Sequence, residues 1–390
     1  MTLDLLKVGP RVAAMAREMA QQVRLRGPRL AEALELLDAR ADDWEALAAV
    51  AGASQRRLPV PLEPLNVRRV GTAPPPNHVV IATDGSQIEP DRHSGADFFL
   101  LNVGWAVVRY GADPFAELTS EPSLFFEPED VYITHGQRRV PIQDRHLAAK
   151  RAGLEIERAA SLATAWCRAE PDLVVLADGT LALWVLEERP DDFLRQELLA
   201  PYVEQLRRMR DLDVPLASYI SRPRSVEVSG LLQEAVCVGP DGDGCGRCRA
   251  GNVDPCVFDR LPDRELFGRL PRGERSALFE MTLPQGLVEF YDDLVPRFFY
   301  LNVGTEIARV EVPPWTAEDP MQLDLVQAVI LDQCQKGLGY PNVLARAHEQ
   351  ALVSGQDRLA FEYLRDAMQT REGVPPRASA KLHSKRVRAV

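Results

Sequence analysis

No stretch of the 390-residue sequence approaches the roughly 18 to 20 consecutive apolar residues that a membrane-spanning helix needs. The opening MTLDLLKVGPRVAAMAREMAQQ carries acidic residues and no uninterrupted apolar core, so it does not read as a secretory signal. Also missing are the G-x-S-x-G elbow of an α/β hydrolase and the G-x-x-x-x-G-K loop that cradles phosphate, which argues against both chemistries. Positive charge is in short supply: 46 Lys and Arg against 57 Asp and Glu give a net charge of −11. Taken alone, that argues against a nucleic-acid binder, whose phosphate affinity comes from clustered Lys and Arg. A site built from several carboxylates, however, adds to the negative count and repels phosphate until a divalent cation is bound. The last ten residues, KLHSKRVRAV, are distinctly basic. Cysteine is scarce, six in all, and four of them fall between Cys237 and Cys256. Such bunching points to a metal site in a reducing compartment rather than to a disulfide framework, so the expected location is the cytoplasm.

What remains is ordinary for a folded chain, with 46% hydrophobic and 26% charged residues. Residues 1–55 have helical spacing and few breakers, suggesting two or three helices. A polar, proline-containing stretch follows, so that an N-terminal helical region over 1–72 ends before a linker at Ala73-Pro74-Pro75-Pro76-Asn77. From residue 78 to about 370, apolar β-rich segments alternate with helical ones: HVVIATDGS, FFLLNVGWAVVRYG, a helix near 146–169, PDLVVLADG, a helix near 191–210, VPLASYIS, FFYLNVG and ARVEVP. This alternation predicts an α/β class with a mixed sheet flanked by helices. A Gly-, Asp- and Cys-rich insertion interrupts it, and residues 371–390 form a basic tail expected to be disordered.

Two strands end alike: IATDGS puts Asp84, and VVLADGT puts Asp178, at a predicted strand C-terminus before a glycine. Ligand sites of open α/β sheets lie at the carboxyl ends of strands, and a following glycine lets the backbone turn away and leave the carboxylate uncovered. Asp-Gly is also a common turn dipeptide, so neither occurrence is informative alone. On neighbouring strands, two such aspartates can share divalent cations of the kind used in phosphoryl chemistry. A third carboxylate is expected from the helix LAAKRAGLEIERAASLATAW. Its apolar stripe runs through Ala148, Ala152, Ile156, Ala159, Ala163 and Trp166. At about 100° per residue, Glu155 falls at the margin of that stripe and Glu157 nearly opposite. Glu155 is therefore the candidate ligand and Glu157 a surface charge. Glu311, in ARVEVP, is a further possible ligand ranked below the other candidates, because Arg309 and Pro313 could equally place it at a solvated strand end.

The order of Asp84-Gly85-Ser86, Glu155, Asp178-Gly179, Tyr340-Pro341 and Ala347-His348 resembles that of the NurA nucleases over roughly residues 78–360. The resemblance implies a ribonuclease H-like core and a homodimer partnered by a HerA-type hexameric translocase. It implies a manganese- or magnesium-dependent deoxyribonuclease for DNA ends and single strands, of the single-strand endonuclease and 5'–3' exonuclease type, in end processing and double-strand break repair. Asp84, Glu155 and Asp178 would be ligands of the catalytic cation. Tyr340 and His348 would complete the active site, His348 as a metal ligand or proton donor. Ser86 and Arg222 are the expected substrate contacts, although the segment Arg222-Pro223-Arg224 carries arginine where relatives are expected to have lysine.

Cys237, Cys245, Cys248 and Cys256 have C-x7-C-x2-C-x7-C spacing, which fits a tetrathiolate site over 237–256 holding structural zinc or, alternatively, an iron–sulfur cluster. The resemblance does not supply this cluster. A short loop-rich insertion needs such a staple, since it cannot bury a core. The rival to a nuclease is a non-catalytic DNA-end or translocase adaptor on the same fold.

Overall fold

The chain in its computed structural model divides into two compact units, and residues 4–90, 97–187, 192–237, 256–258 and 260–374 are described. The first unit takes Met1–Val70, Ser221–Thr282 and Phe298–Arg309, and the second takes the rest. Among the described residues no helix is long and apolar enough to cross a membrane. Cys245, Cys248 and the basic tail from 375 onward lie outside the described residues.

The predicted N-terminal helices are two, Leu5–Ala39 and Trp44–Ala53. The first is started by Asp4, whose side chain accepts the Leu6 N–H in the manner of an N-cap. Short strands β1 (Val60–Pro61) and β2 (Arg69–Val70) follow. Residues 221–282 and 298–309, which on sequence alone run on within the 78–370 segment, belong to this first unit. One device that holds it together is the buried carboxylate of Asp263. It accepts the N–H groups of Glu227, Val228 and Ser229, the first turn of the helix Glu227–Cys237, and the hydroxyl of Tyr300. A negative charge at that end satisfies otherwise orphaned donors and opposes the helix dipole.

The second unit is built on a meander of β3 (His78–Ile88), β4 (Phe99–Tyr110) and β5 (Phe115–Phe125), all antiparallel. A separate hairpin, β6 (Tyr132–His135) with β7 (Arg138–Pro141), leads into the helix Asp144–Trp166. The chain then returns as β8 (Leu173–Asp178) parallel to β3, crosses back through the helix Asp192–Asp211, and adds β9 (Leu216–Ile220) parallel to β8. The order β9-β8-β3-β4-β5, part of a larger sheet of 11 strands, is mixed as expected from the sequence. The described residues end in three helices, Pro320–Lys336, Asn342–Ala351 and Gly355–Arg371.

Both faces of the central strands are covered, which is why they read as continuous rather than alternating apolar runs. Val79, Val80, Ile81 and Ala82 on β3, and Val174, Val175 and Leu176 on β8, have no solvent exposure. Each such Val, Leu or Ile contributes roughly 1.5–3 kcal/mol by burial. The helix Asp144–Trp166 packs on β3, and Asn342–Ala351 packs on β3 and β4.

Strand β3 does not stop at Asp84. It stays paired with β4 through Gly85↔Val103 and Ser86↔Asn102 to Ile88, so Gly85 is not the turn residue the sequence suggested. At Asp178 the expectation holds, since β8 ends there and Gly179 takes a φ of +82°, a left-handed conformation that suits glycine.

Candidate active site

Side chains alternate across a strand, and on β3 this alternation sorts the Thr-Asp-Gly-Ser-Gln segment into two rows. Thr83, Gly85 and Gln87 face the helix Asp144–Trp166. The Thr83 hydroxyl donates to the Glu155 carbonyl at 3.1 Å, and Arg151 donates to the Gln87 amide oxygen at 3.1 Å. Asp84 and Ser86 face the helix Asn342–Ala351. His348 Nδ1 lies 2.6 Å from Asp84 Oδ2, and the Ser86 hydroxyl donates to the Ala351 carbonyl. On β8, Ala177 is in parallel register with Thr83, which brings the next residue, Asp178, beside Asp84 and onto its face. There Asp178 Oδ1 accepts the Tyr340 hydroxyl at 3.0 Å.

Glu155 reaches this group from the opposite helix layer, and Gly85 is the reason it can. A Cβ at residue 85 would lie 2.3 Å from Glu155 Oε1 and 2.8 Å from Arg151 Cγ. The glycine of the Asp-Gly pair thus leaves a gap in the sheet face into which the glutamate projects. Glu157, two residues on, is exposed, as the helical periodicity predicted.

The other face has an equivalent device. A Cβ on Gly104 would sit 2.3 Å from the Ala351 nitrogen and 2.7 Å from the Ala347 carbonyl oxygen, so a bare β4 backbone lets the His348 helix lie directly on the sheet. The Asn102 amide donates to the Ala351 carbonyl at 2.8 Å and ties down the end of that helix. Neither residue was singled out from the sequence, because close approach of a helix leaves no local pattern. Tyr340 precedes the helix, which begins at Asn342, and its ring meets that of Tyr219 edge-on at 5.5 Å.

The electrostatics follow from this crowding. About a fifth of the Glu155 side chain reaches solvent, but its Oε1 is buried and makes no aligned hydrogen bond. Burial pushes the carboxyl up to about 7; Arg151 opposes the shift, while Asp84 and Asp178 add to it. Burial and the adjacent Asp178 raise the Tyr340 phenol above its ordinary range, so it keeps its proton and acts as a donor.

The remaining candidates are placed as follows. Glu311 is not at a solvated strand end: it is 1% exposed, and its Oε2 accepts from the Thr180 hydroxyl at 2.8 Å and the Leu181 N–H at 2.9 Å. It holds the loop that follows Asp178. The Ser86 hydroxyl, on the same face of β3 as Asp84, donates to the Ala351 carbonyl. Arg222 belongs to the first unit, where its N–H donates to Glu306 at 3.0 Å. Of the four clustered cysteines, Cys237 ends a helix and Cys256 is half-buried with its Sγ 3.5 Å from the Gln233 amide nitrogen.

Among the described residues, no three His, Cys, Asp or Glu side chains already stand at the spacing of a metal site. The donor set nonetheless fits a divalent cation in kind. It offers three hard carboxylate ligands with one buried oxygen lacking an aligned hydrogen bond, and their mutual repulsion favours a cation among them.

A mixed sheet in which β3 pairs antiparallel with β4 and parallel with β8, helices on both faces and aspartates side by side on its central strands describe a ribonuclease H-like α/β protein. The model of the NurA domain matches residues 78–353, and the chain belongs to the NurA family, a family of nucleases. The NurA nuclease from Sulfolobus solfataricus shares 14% identity with it at a TM-score of 0.48, covering 93% of this chain and 98% of its own. RuvC from Thermus thermophilus, also 14% identical, gives a TM-score of 0.17 over 49% of this chain and 95% of its own. Argonaute from Marinitoga piezophila, in complex with 5' OH guide RNA and target DNA, is 11% identical with a TM-score of 0.27 over 71% of this chain and 30% of its own. No curated protein matches the chain by sequence.

Proposed function

We propose that this protein is a divalent-metal-dependent deoxyribonuclease that cuts single strands and DNA ends by hydrolysis. The observation that carries the reading is the meeting of Asp84 and Asp178, side by side on parallel strands, with Glu155 entering through the gap at Gly85. Asp84, Asp178 and Glu155 would hold one or two Mn²⁺ or Mg²⁺ ions, with His348 as a further ligand or a proton donor. A bound ion of this kind lowers the pKa of a coordinated water and offsets charge on the scissile phosphate.

The protein's own groups supply orientation and proton transfer. Tyr340 fixes the rotamer of Asp178 by donating to it, and its raised pKa keeps the donor protonated. His348 is 65% exposed while Nδ1 is engaged by Asp84, which leaves Nε2 to reach a substrate. As the water oxygen bonds to phosphorus and its proton passes to solvent, the P–O bond to the leaving sugar breaks, and a proton from His348 Nε2 would go to the departing sugar oxygen. By family membership the protein would act as a homodimer with a HerA-type translocase in double-strand break repair. Cysteines 237, 245, 248 and 256 would hold zinc or an iron–sulfur cluster.

The test is incubation with end-labelled single-stranded DNA and Mn²⁺, with and without EDTA. Fragments that appear with Mn²⁺ and vanish with EDTA support the reading. Binding of DNA without cleavage under either condition would instead favour a non-catalytic adaptor.

A further inference from the structure

The three carboxylates of the site each have one polar partner from a helix layer or the segment before it. His348 serves Asp84, Tyr340 serves Asp178, and Arg151 serves Glu155. Only the last of these partners carries a permanent positive charge. Arg151 lies one helical turn before Glu155, with Nε 3.1 Å from Glu155 Oε1. One terminal nitrogen of its guanidinium donates to the Gln87 amide oxygen at 3.1 Å, so it is anchored to β3 as well. Its Cγ and Cδ fill the space above Gly85, where a Cβ would come within 2.8 and 3.0 Å of them. The glycine therefore admits the arginine stem as much as the glutamate head.

The contact between Arg151 and Glu155 is close but poorly directed. Nε and Oε1 are both buried, and neither makes an aligned hydrogen bond. A pair built for stability would use the two-pronged geometry that guanidinium and carboxylate allow. Here the attraction is chiefly that of charge for charge, and the carboxylate oxygen keeps a lone pair for another ligand.

From this geometry we infer that Arg151 is the resident counter-ion of the carboxylate site, a positioning residue that holds Glu155 against β3 and competes with the divalent cation for it. The inference rests on the proposed nuclease reading for the cation, though not for the counter-ion role. Without a cation, Arg151 offsets the repulsion among Asp84, Glu155 and Asp178. With one bound, Arg151 yields Oε1 and stays within reach through Gln87, and its charge lowers cation affinity. Like charges gathered at one site repel appreciably even at a protein-surface dielectric, which makes this competition measurable.

The test uses the full-length protein and two readouts independent of cleavage: Mn²⁺ binding by titration calorimetry and the thermal midpoint after chelation. In Arg151→Gln, which keeps a polar contact for Gln87 but loses the charge, Mn²⁺ should bind about tenfold tighter than in wild type. The chelated variant should melt about 2–4 °C lower, adding Glu155→Gln should restore the midpoint, and Arg151→Lys should resemble wild type in both readouts. Unchanged or weaker Mn²⁺ binding in Arg151→Gln would overturn the competition. A midpoint that Glu155→Gln does not restore would overturn the counter-ion role. If wild type binds no Mn²⁺ at all, the nuclease reading fails and the competition with it, while the chelated midpoints still decide the counter-ion role.

Discussion

His348 Nδ1 sits 2.6 Å from Asp84 Oδ2, although 264 positions separate the two residues. The contact joins a helix near the end of the family match to the first strand of the sheet, and two further features enforce it. Bare backbone at Gly104 admits the helix, and the Ser86 hydroxyl and Asn102 amide bind its last carbonyl. The imidazole is placed by the scaffold rather than by the loops around it.

Glu155→Gln is expected to lower cleavage at least about a hundredfold, the upper range for losing even an indirect support of a metal site. Glu157→Gln should stay within about threefold of wild type, since an exposed charge on the far helix face touches none of the site. Steady-state cleavage of one labelled oligonucleotide by both variants checks this. An inactive Glu157→Gln beside a normal Glu155→Gln would reverse the assignment.

Much of this was legible in the sequence because it rests on local apolar patterning. The strand placements follow from continuous apolar runs bounded by turn residues, and the burial of Glu155 relative to Glu157 follows from the 3.6-residue helical period. What could not be read was what the glycines do. Gly85 looked like a turn, but it lies inside β3 and keeps a space open for Glu155 and Arg151. Gly104, Asn102 and Arg151 were invisible for the same reason, since their importance lies in contacts between layers. Glu311 was misread because flanking residues suggested solvent, whereas the carboxylate turns inward to hold Thr180 and Leu181.

Gly85→Ala tests that account with a single methyl group. The new Cβ would stand 2.3 Å from Glu155 Oε1, so the glutamate must withdraw. The fold should survive, at a cost of about 1–3 kcal/mol for overpacking, while cleavage falls as far as in Glu155→Gln. Circular dichroism melts and cleavage rates on the same preparation separate the two effects. Retention of full activity would show that Glu155 does not need the gap.

Asp263 gives the first unit a pH dependence of predictable sign. Burial pushes its carboxyl up to about 6, even though the N–H groups of Ser229 and Val228 and the Tyr300 hydroxyl pull it down. A carboxyl whose folded pKa is raised binds its proton more tightly in the folded chain than in the unfolded one. Its contribution is present below about pH 4 and is lost as pH rises to about 6, at roughly 1.4 kcal/mol per pH unit. Urea midpoints at pH 4.5 and 7 should therefore diverge more in wild type than in Asp263→Asn, which has no proton to lose. Equal divergence would mean that the Asp263 carboxylate is fully compensated by its donors.

Cys245→Ser combined with Cys248→Ser should remove about one equivalent of bound zinc, or an iron chromophore, because a tetrathiolate site needs all its ligands. Cleavage of short single strands should persist, since Asp84, Glu155 and Asp178 belong to the second unit and the insertion to the first. Elemental analysis of protein purified without chelator decides the first point. Near-zero zinc and iron in wild type would remove the metal from the insertion.

The most direct measurement is made on Asp84→Asn and Asp178→Asn, each of which keeps the side-chain shape and removes one charged ligand. Cleavage of labelled single-stranded DNA and the Mn²⁺-induced rise in thermal midpoint are followed together, the rise because a ligand that binds only the folded state stabilises it. Both variants should lose cleavage to background and lose most of the Mn²⁺-induced rise. Their chelated forms should melt no lower than wild type, because each loses a mutually repelling charge. Wild-type cleavage by both variants in Mn²⁺ would contradict the carboxylate-held cation on which the proposed function depends.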